Sequence, residues 1–195
     1  MKKNIGLLIA TSLLSMMLFS CTYNKMVSLD EAVTASWAQV QNQYQRRLDL
    51  IPNLVSTVKG YAQHEEKVLT EVTEARSKAG GVIEVSQDVL NDPEQFKKFQ
   101  QAQDQLSGSL QRLLAVSESY PELKSNENFL ALQNQLEGTE NRIATERKRF
   151  NDAVQAYNSY IRRFPNSIIA GMFHFERKQF FAADEEAQKA PKVEF

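Results

Sequence analysis

The side chains that most often bind metals are scarce in this sequence of 195 residues, which has two histidines and one cysteine. Neither His64 nor His174 has a Glu or Asp three residues before it, so the Glu-x-x-His pairs of a di-iron helical bundle are missing. Zinc sites of the usual kinds need several thiolates or an H-E-x-x-H motif, which the sequence lacks. The run His64-Glu65-Glu66 could hold a metal weakly, but adjacent residues on a helix point in different directions. We therefore predict no metal site and no cofactor.

Other common catalytic motifs are also missing from the sequence. Gly60, Gly108 and Gly138 are isolated within helical patterns, so they form no glycine-rich loop that could bind phosphate. No serine lies in a G-x-S-x-G elbow. Carboxylates that share a helix face, such as Glu137 and Glu140, are expected by chance on a surface of mixed charge. We predict no catalytic residues and a protein that is not an enzyme. The alternative is a metal-dependent or other enzyme with an unrecognised site in the helical bundle.

The single cysteine, Cys21, lies where a bacterial protein would carry a lipid. The basic start MKKN is followed by IGLLIATSLLSMMLF, an apolar stretch of about fifteen residues, as in a secretory signal peptide. Leu18-Phe19-Ser20-Cys21 then resembles a bacterial lipobox, with the small Ser20 before the cysteine and Phe19 as its one unusual residue. We predict that residues 1–20 are a signal peptide. Cys21 is then the first residue of the mature chain and carries fatty-acyl groups such as palmitate.

An uncleaved transmembrane anchor is the alternative to lipidation. Cys21 would then simply end the apolar segment, which is short because a span needs about twenty apolar residues. Acyl chains contribute about 0.8 kcal/mol per buried CH₂ group, so a multiply acylated Cys21 can anchor a protein without a spanning helix. Thr22, rather than Asp, follows the cysteine, which predicts the outer membrane if the source is Gram-negative. We predict attachment to a membrane through the N-terminal lipid, and the cell envelope as the location.

The charge balance argues against nucleic acid as a partner. The formal net charge is −1, with 23 Lys and Arg against 24 Asp and Glu. Nucleic-acid binding depends on clustered basic residues that neutralise phosphates. The densest basic runs, Arg147-Lys148-Arg149 and Arg162-Arg163, have acidic or aromatic neighbours. We interpret these runs as solvated faces of helices.

Periodic apolar residues predict a long helix in the first half of the mature chain. Ser28-Leu29-Asp30-Glu31 has the S-x-x-E form of a capping box, so we expect the helix to begin near Leu29. Its apolar and small residues alternate steps of three and four, as in a coiled coil, as far as Arg76. We expect a kink or break at Leu50–Pro52, because proline removes a backbone hydrogen bond and clashes with the preceding turn. Gly80-Gly81 should end the helix.

Two further long helices follow. Asp92-Pro93-Glu94-Gln95 combines an N-cap, a proline at the tolerated first position and a capping-box glutamine, which predicts the start of the second helix. A third helix is predicted from near Asn126 until Pro165 stops it. Because each helix has one apolar stripe, the predicted fold class is all-α. We expect an elongated antiparallel bundle of long coiled-coil-like helices with a short C-terminal capping segment.

Polar runs interrupt the apolar stripes of the first and third helices, and in an antiparallel bundle the two runs could meet. One interpretation is a set of surface salt bridges, worth about 0–1 kcal/mol per pair. Another is a structural polar network that fixes the register of the helices, and a binding site is a third. The residues concerned are Arg46, Arg47 and Asp49 in the first run and Glu140, Asn141 and Arg142 in the second.

Four segments of the chain resemble the LemA family. They are QYQRRLDLIPNLVSTVKGYAQHE, YPELKSNENFLALQNQLEGTENRIATER, FNDAVQAYNSYIRRFP and the terminal PKVEF, in that order across nearly the whole predicted mature chain. The resemblance implies an all-α, elongated bundle that is held to a membrane at its N-terminus and has no established activity. We divide the chain into the signal peptide 1–20, a lipidated N-terminus and linker 21–28, and a LemA-like helical bundle domain 29–195.

These observations predict a membrane-anchored, lipid-tethered scaffold or adaptor of the bacterial cell envelope. After Pro165 the sequence is rich in phenylalanine without a sustained period, and exposed apolar patches commonly mark interaction sites. A cap over the open end of a bundle would also need aromatic side chains. These residues therefore either form a surface for protein partners or self-association, or close the core. They are Phe173, Phe175, Phe180, Phe181 and Phe195.

Overall fold

The computed structural model describes residues 2–83 and 87–181 of the chain, and the side chains of residues 20–81 and 89–181. Within these ranges the chain forms six α-helices, one short 3-10 helix and no strand, which confirms the all-α prediction. The α-helices are α1 (Lys2–Tyr61), α2 (Glu66–Ile83), α3 (Pro93–Ser117), α4 (Pro121–Lys124), α5 (Glu127–Arg162) and α6 (Asn166–Met172), and the 3-10 helix is Gln87–Leu90.

The first helix begins much earlier than predicted. α1 runs without interruption from Lys2, so the predicted start near Leu29 is wrong and residues 21–28 are helical. The buried stripe explains the difference, because Met26 is as fully buried as Val33 and lies before the capping-box sequence. A capping box requires the first residue of the motif to leave helical geometry. Packing of Met26 instead continues the helix through Ser28.

Pro52 lies inside α1 rather than at a break, so the predicted break is wrong. The proline has no N–H group to donate to the carbonyl of Leu48, four residues earlier. The Nε group of Arg76, on α2, donates to that carbonyl at 2.9 Å. A side chain from the neighbouring helix therefore satisfies the acceptor that the proline leaves free.

The chain reverses after Tyr61, over residues 62–65, and α2 begins at Glu66. The predicted end at Gly80-Gly81 is wrong, because α2 continues through both glycines to Ile83. A Cβ atom added to Gly80 would lie 3.7 Å from the Cδ1 atom of Leu48 on α1. Packing against α1 at this point outweighs the low helix propensity of glycine, which is about 1 kcal/mol below that of alanine.

The predicted starts of the second and third long helices are confirmed. The Asp92 carboxylate accepts hydrogen bonds from the backbone N–H groups of Glu94 at 2.9 Å and Gln95 at 3.2 Å. The Gln95 side-chain amide donates to the same carboxylate at 3.1 Å. The Asn126 side chain accepts from the N–H group of Phe129 at 3.0 Å. The contacts of Asp92 are the capping interactions that the sequence predicts for α3, whereas for α5 only the start near Asn126 was predicted and the Asn126 cap is new.

The helices α1, α2, α3 and α5 form an up-down-up-down bundle. α1 and α5 are antiparallel, and the pairs that show it are Trp37 with Phe150, Arg47 with Glu140 and Tyr61 with Asn126. α2 and α3 are also antiparallel: Glu71 of α2 pairs with Arg112 of α3, and Glu65, just before α2, contacts Tyr120, just after α3. The helix from Cys21 to Tyr61 extends about 60 Å at 1.5 Å per residue. The molecule is therefore a rod with a Cys21 end and a Tyr61 end.

The core has an aromatic part toward the Cys21 end and a mainly aliphatic part toward the Tyr61 end. Trp37 lies at the centre of the aromatic part. The ring centroids within 5.1–5.9 Å of the Trp37 ring are those of Phe96, Phe99, Phe150 and Phe181. Leucines such as Leu106 and Leu113 fill the aliphatic part. Arg47 lies on α1 where the two parts meet.

Candidate functional site

Among the described residues, Arg47 is the one charged residue that is buried in the bundle. Its side chain is only 2% exposed. The position follows from helical periodicity, because Tyr44 and Ile51 lie three and four residues away along the buried stripe of α1. The Arg47 guanidinium also lies 5.1 Å from the centroid of the Tyr44 ring, a distance at which a cation is attracted to the ring face.

The Arg47 guanidinium joins three helices. Its Nη1 atom donates to Glu140 Oε1 of α5 at 3.0 Å and to Ser107 Oγ of α3 at 2.9 Å. Its Nη2 atom donates to the Gln103 side-chain oxygen, and to the Gln103 carbonyl at 3.4 Å. The Glu140 side chain is 41% exposed. One charge is therefore enclosed by the bundle, while its counter-charge reaches solvent.

The structure brings together only part of the predicted polar runs. Arg47 and Glu140 meet, whereas Arg46, Asp49, Asn141 and Arg142 are exposed; Asp49 accepts a hydrogen bond from Gln45 at 2.8 Å. The two α3 partners, Gln103 and Ser107, were not predicted. Gln103 gives a signal in the sequence, since it is a polar residue within the apolar stripe Phe96, Phe99, Leu106.

A groove of about 820 Å³ between α3 and α5 lies beside this network. Its charged lining consists of Asp104, Glu137, Glu140 and Arg147, and the described residues that line it include neither histidine nor cysteine. Beneath it, Arg47 Nε and Gln103 Nε2 are buried with no hydrogen-bond partner. The groove thus offers carboxylates and one guanidinium. The described lining provides no activated nucleophile with a neighbouring base.

The pKa values of three tyrosines, Tyr44, Tyr120 and Tyr157, are raised above the ordinary value. Burial is the main cause that raises the pKa of Tyr44 and of Tyr157. The pKa of Tyr120 is raised chiefly by the hydrogen bond that its hydroxyl donates to Glu65 at 3.1 Å. These phenols stay protonated at neutral pH, where they act as hydrogen-bond donors and packing groups and do not provide a base.

The two histidines lie far apart along the rod. His64 is exposed in the turn at the Tyr61 end, and His174 is exposed after α6 near the Cys21 end. In the part of the chain that the structure describes, no group of three or more His, Cys, Asp or Glu residues could hold a metal ion. The structure therefore does not combine either histidine with the Arg47 network.

The phenylalanines of the C-terminal segment have different environments. Phe173 and Phe180 are exposed, and Phe175 is partly buried against the aromatic core. Phe181 is only 5% exposed and packs on Trp37, so it belongs to the core and is not available as a contact surface. Phe195 lies outside the described residues.

Two asparagines of α5 hold the segment 175–181, which we call the strap. Asn158 accepts from the N–H group of Lys178 at 3.0 Å and donates to its carbonyl at 2.9 Å. Asn151 makes the same pair of bonds with Phe181, at 2.9 and 3.0 Å. Lys178 Nζ also pairs with Asp30 of α1 at 3.1 Å. Each asparagine side chain bonds both the N–H and the carbonyl of one strap residue, as a neighbouring strand would in a sheet. Neither asparagine was predicted from the sequence.

Cys21 has an exposed side chain on α1 at one end of the rod. Among the residues whose side chains are described, from Ser20 onward in α1, no helix is long and apolar enough to cross a membrane. Lipidation of Cys21 stays a prediction.

Comparison with known proteins gives a family match and several relatives. The model of the LemA family matches residues 36–195. Magnetosome protein MamQ of Magnetospirillum gryphiswaldense is 27% identical over 196 residues, which cover 91% of this chain and 72% of the relative. Magnetosome protein MamQ 2 of Paramagnetospirillum magneticum is 28% identical over 193 residues, which cover 89% of this chain and 71% of the relative. The family match spans α2 to α6 and most of the bundle part of α1.

Proposed function

The chain belongs to the LemA family, and from that premise we propose that it is a membrane-anchored helical scaffold or adaptor without catalytic activity. In its specific form the proposal is a lipoprotein of the bacterial cell envelope, in which Cys21 carries the acyl groups. If the source is Gram-negative, Thr22 after the cysteine favours the outer membrane.

One observation carries the proposal: α1 includes Cys21 and continues without a break to Tyr61. Cys21, the first residue once residues 1–20 are cleaved, therefore lies on the same helix as the buried stripe of the bundle. A lipid on Cys21 would hold one end of the rod at the bilayer without a flexible linker. The Tyr61 end would then stand about 60 Å away. This geometry suits a protein that positions a partner at a set distance from a membrane.

The polar groups inside the bundle support a structural role. Arg47 directs both of its Nη atoms to groups on α3 and α5, so its hydrogen bonds hold helices together. The strap likewise closes the aromatic core through Phe181. Surfaces that a protein partner could contact include the Tyr61 end and the exposed Phe180.

The test of the anchor is a comparison of the unsubstituted chain with Cys21→Ser, and with Thr22→Ser as a matched control, in bacterial cells. We expect fatty-acid label and membrane retention in the unsubstituted chain and in Thr22→Ser, and loss of both in Cys21→Ser. Membrane retention without any acyl label would support the transmembrane anchor instead. A chain that is not retained in membranes at all would overturn the proposed function.

The alternative of a metal-dependent enzyme has a separate test. Elemental analysis of the purified full chain should find no stoichiometric iron or zinc, because the described residues offer no complete ligand set. Iron or zinc at one atom per chain would contradict the scaffold proposal.

A further inference from the structure

Large apolar side chains are exposed in a group at the Cys21 end of the rod. Phe164 is 83% exposed and Met172 is 64% exposed, although both are side chains that folding normally removes from water. We call the group the basal patch. Its members are Tyr23 of α1, Phe164 of the connection between α5 and α6, Ile168 and Met172 of α6, and Phe173.

The fold determines which face of α6 the basal patch presents. Ile169 and Ala170 are buried in the aromatic part of the core, so the opposite side of the helix faces outward. Ile168 and Met172 lie four residues apart and share that outer side. Phe173 packs on Tyr23 of α1, with ring centroids 4.8 Å apart. The exposed side chains cannot turn inward, because the buried face of α6 is already in contact with the core.

The position of the basal patch along the rod favours the lipid bilayer as its partner. Tyr23 is two residues after Cys21 on the same unbroken helix, about 3 Å further along its axis. Phe173 contacts Tyr23 directly, so α6 lies beside this part of α1. We propose that the basal patch inserts into the surface of the lipid bilayer, as a second membrane contact beside the N-terminal anchor. This inference rests on the membrane anchoring proposed above.

The charges around the patch fit a bilayer surface. The segment Asn166–Met172 contains no charged residue. Arg162 and Arg163, which precede Phe164, are exposed. Arg163 and Lys25 line one cleft between α1 and α5, in which Asp152 is the acidic residue. Basic residues beside an apolar helix face are typical of segments that lie in the interface of anionic membranes. Tyrosine and other aromatic rings favour the headgroup level.

The test uses the full chain reconstituted in vesicles that contain anionic phospholipid. Spin labels are attached at cysteines introduced by Phe164→Cys, Ile168→Cys and Met172→Cys, and the unsubstituted chain measures any signal from Cys21. Leu130→Cys is the matched control, because Leu130 is 42% exposed but lies near the Tyr61 end. Collisions of the label with oxygen, which concentrates in lipid, are compared with collisions with a water-soluble nickel complex.

We expect the oxygen-to-nickel ratio to be several-fold higher at the three patch positions than at Leu130→Cys. Equal ratios would show that the patch faces water, and low accessibility to both reagents would show that protein covers it; either result overturns the inference. Flotation of the vesicles reports anchoring in the same sample. A chain that floats with water-exposed labels contradicts only the basal contact, whereas a chain that does not float contradicts the proposed function as well.

Discussion

Arg47 illustrates how one charged residue can be held inside a helical bundle. Moving a guanidinium out of water costs several kcal/mol unless hydrogen bonds and a counter-charge replace the lost hydration. Glu140 supplies the counter-charge at 3.0 Å, and Ser107 and Gln103 supply neutral acceptors. The two charged residues are unequal in what their loss leaves behind. Without Arg47, the Glu140 carboxylate would still be solvated, because it is 41% exposed. Without Glu140, the buried Arg47 guanidinium would have no counter-charge.

This inequality predicts the effect of Glu140→Ala. The substitution should lower the free energy of unfolding by about 1–3 kcal/mol, because it leaves a buried cation without its carboxylate while Ser107 and Gln103 still accept its hydrogen bonds. Glu137→Ala is the matched control, since Glu137 is exposed one turn earlier on the same helix; its effect should stay within about 0.5 kcal/mol. Urea unfolding of both variants measures the difference. Equal effects would show that the pair with Arg47 contributes nothing to stability.

The contact between Arg76 and the Leu48 carbonyl predicts a coupling with Pro52. Arg76→Met should cost about 1–2 kcal/mol, because a buried carbonyl loses its charged donor. In a Pro52→Ala background the cost should fall to about 0.5 kcal/mol, since the new N–H group of residue 52 can donate to Leu48. A double-mutant cycle measured by urea unfolding tests this. Identical costs in both backgrounds would refute the coupling.

At the scale of elements, the strap acts as a cap on the aromatic core. Phe181→Ala should lower the free energy of unfolding by about 3–5 kcal/mol, because it leaves a cavity beside Trp37. Phe180→Ala is the adjacent control, and its exposed ring predicts a loss of less than about 1 kcal/mol. Thermal or urea unfolding distinguishes the two. A small effect of Phe181→Ala, with partner binding lost, would instead favour the contact-surface interpretation.

The start of α3 predicts a pH dependence. The backbone N–H group of Gln95, followed by smaller contributions that include the N–H group of Glu94, holds the pKa of Asp92 below its ordinary value of 3.8. The ionised cap therefore contributes stability above that ordinary value, and the contribution is lost as the pH falls through the lowered pKa. Asp92→Asn keeps a good N-cap without the charge. Its urea midpoint should lie below that of the unsubstituted chain near neutral pH, and the difference should shrink as the pH falls below the ordinary value for an aspartate. A difference that does not change with pH would contradict this.

Helix starts with local caps could be predicted from the sequence, whereas those that depend on distant packing could not. Asp92 and Asn126 satisfy N–H groups within their own first turns, so residues 92–95 and 126–129 contain the necessary information. Ser28 has the same motif type but lies inside α1, because Met26 packs against the core before it. The turn after Tyr61 has no glycine or proline to mark it.

The polar network around Arg47 could also be predicted only in part, because it too depends on distant packing. The sequence singled out Arg47 and Glu140, but their meeting requires α1 and α5 to be antiparallel. Three long helices that alternate in direction, as predicted, would make the first and third parallel. Gln103 and Ser107 could not be assigned, since the position of α3 depends on where α1 ends and α2 begins. That reversal, over residues 62–65, was missed. The asparagines that hold the strap were missed for a related reason, because backbone groups of irregular segments have no periodic signal.

At the scale of the whole molecule, the two ends of the rod differ. The Cys21 end combines the proposed anchor residue, the aromatic part of the core and the basal patch. At the Tyr61 end, Asn126 donates to the Tyr61 hydroxyl at 2.9 Å and Tyr120 donates to Glu65 at 3.1 Å. Since α1 joins the ends as one helix, a membrane contact at the first end would define where the second is presented. We propose that this separation is what the protein provides as a scaffold.

The most direct test is the thickness of the protein layer on a supported bilayer that carries the full chain, measured by neutron reflectometry. A rod that stands on its Cys21 end predicts a layer that extends about 60 Å from the headgroups, the length of α1 from Cys21 to Tyr61. A layer of about 20–24 Å, which is two helix diameters, would mean that the bundle lies flat on the membrane. That result would contradict the account of a scaffold that holds its far end away from the bilayer.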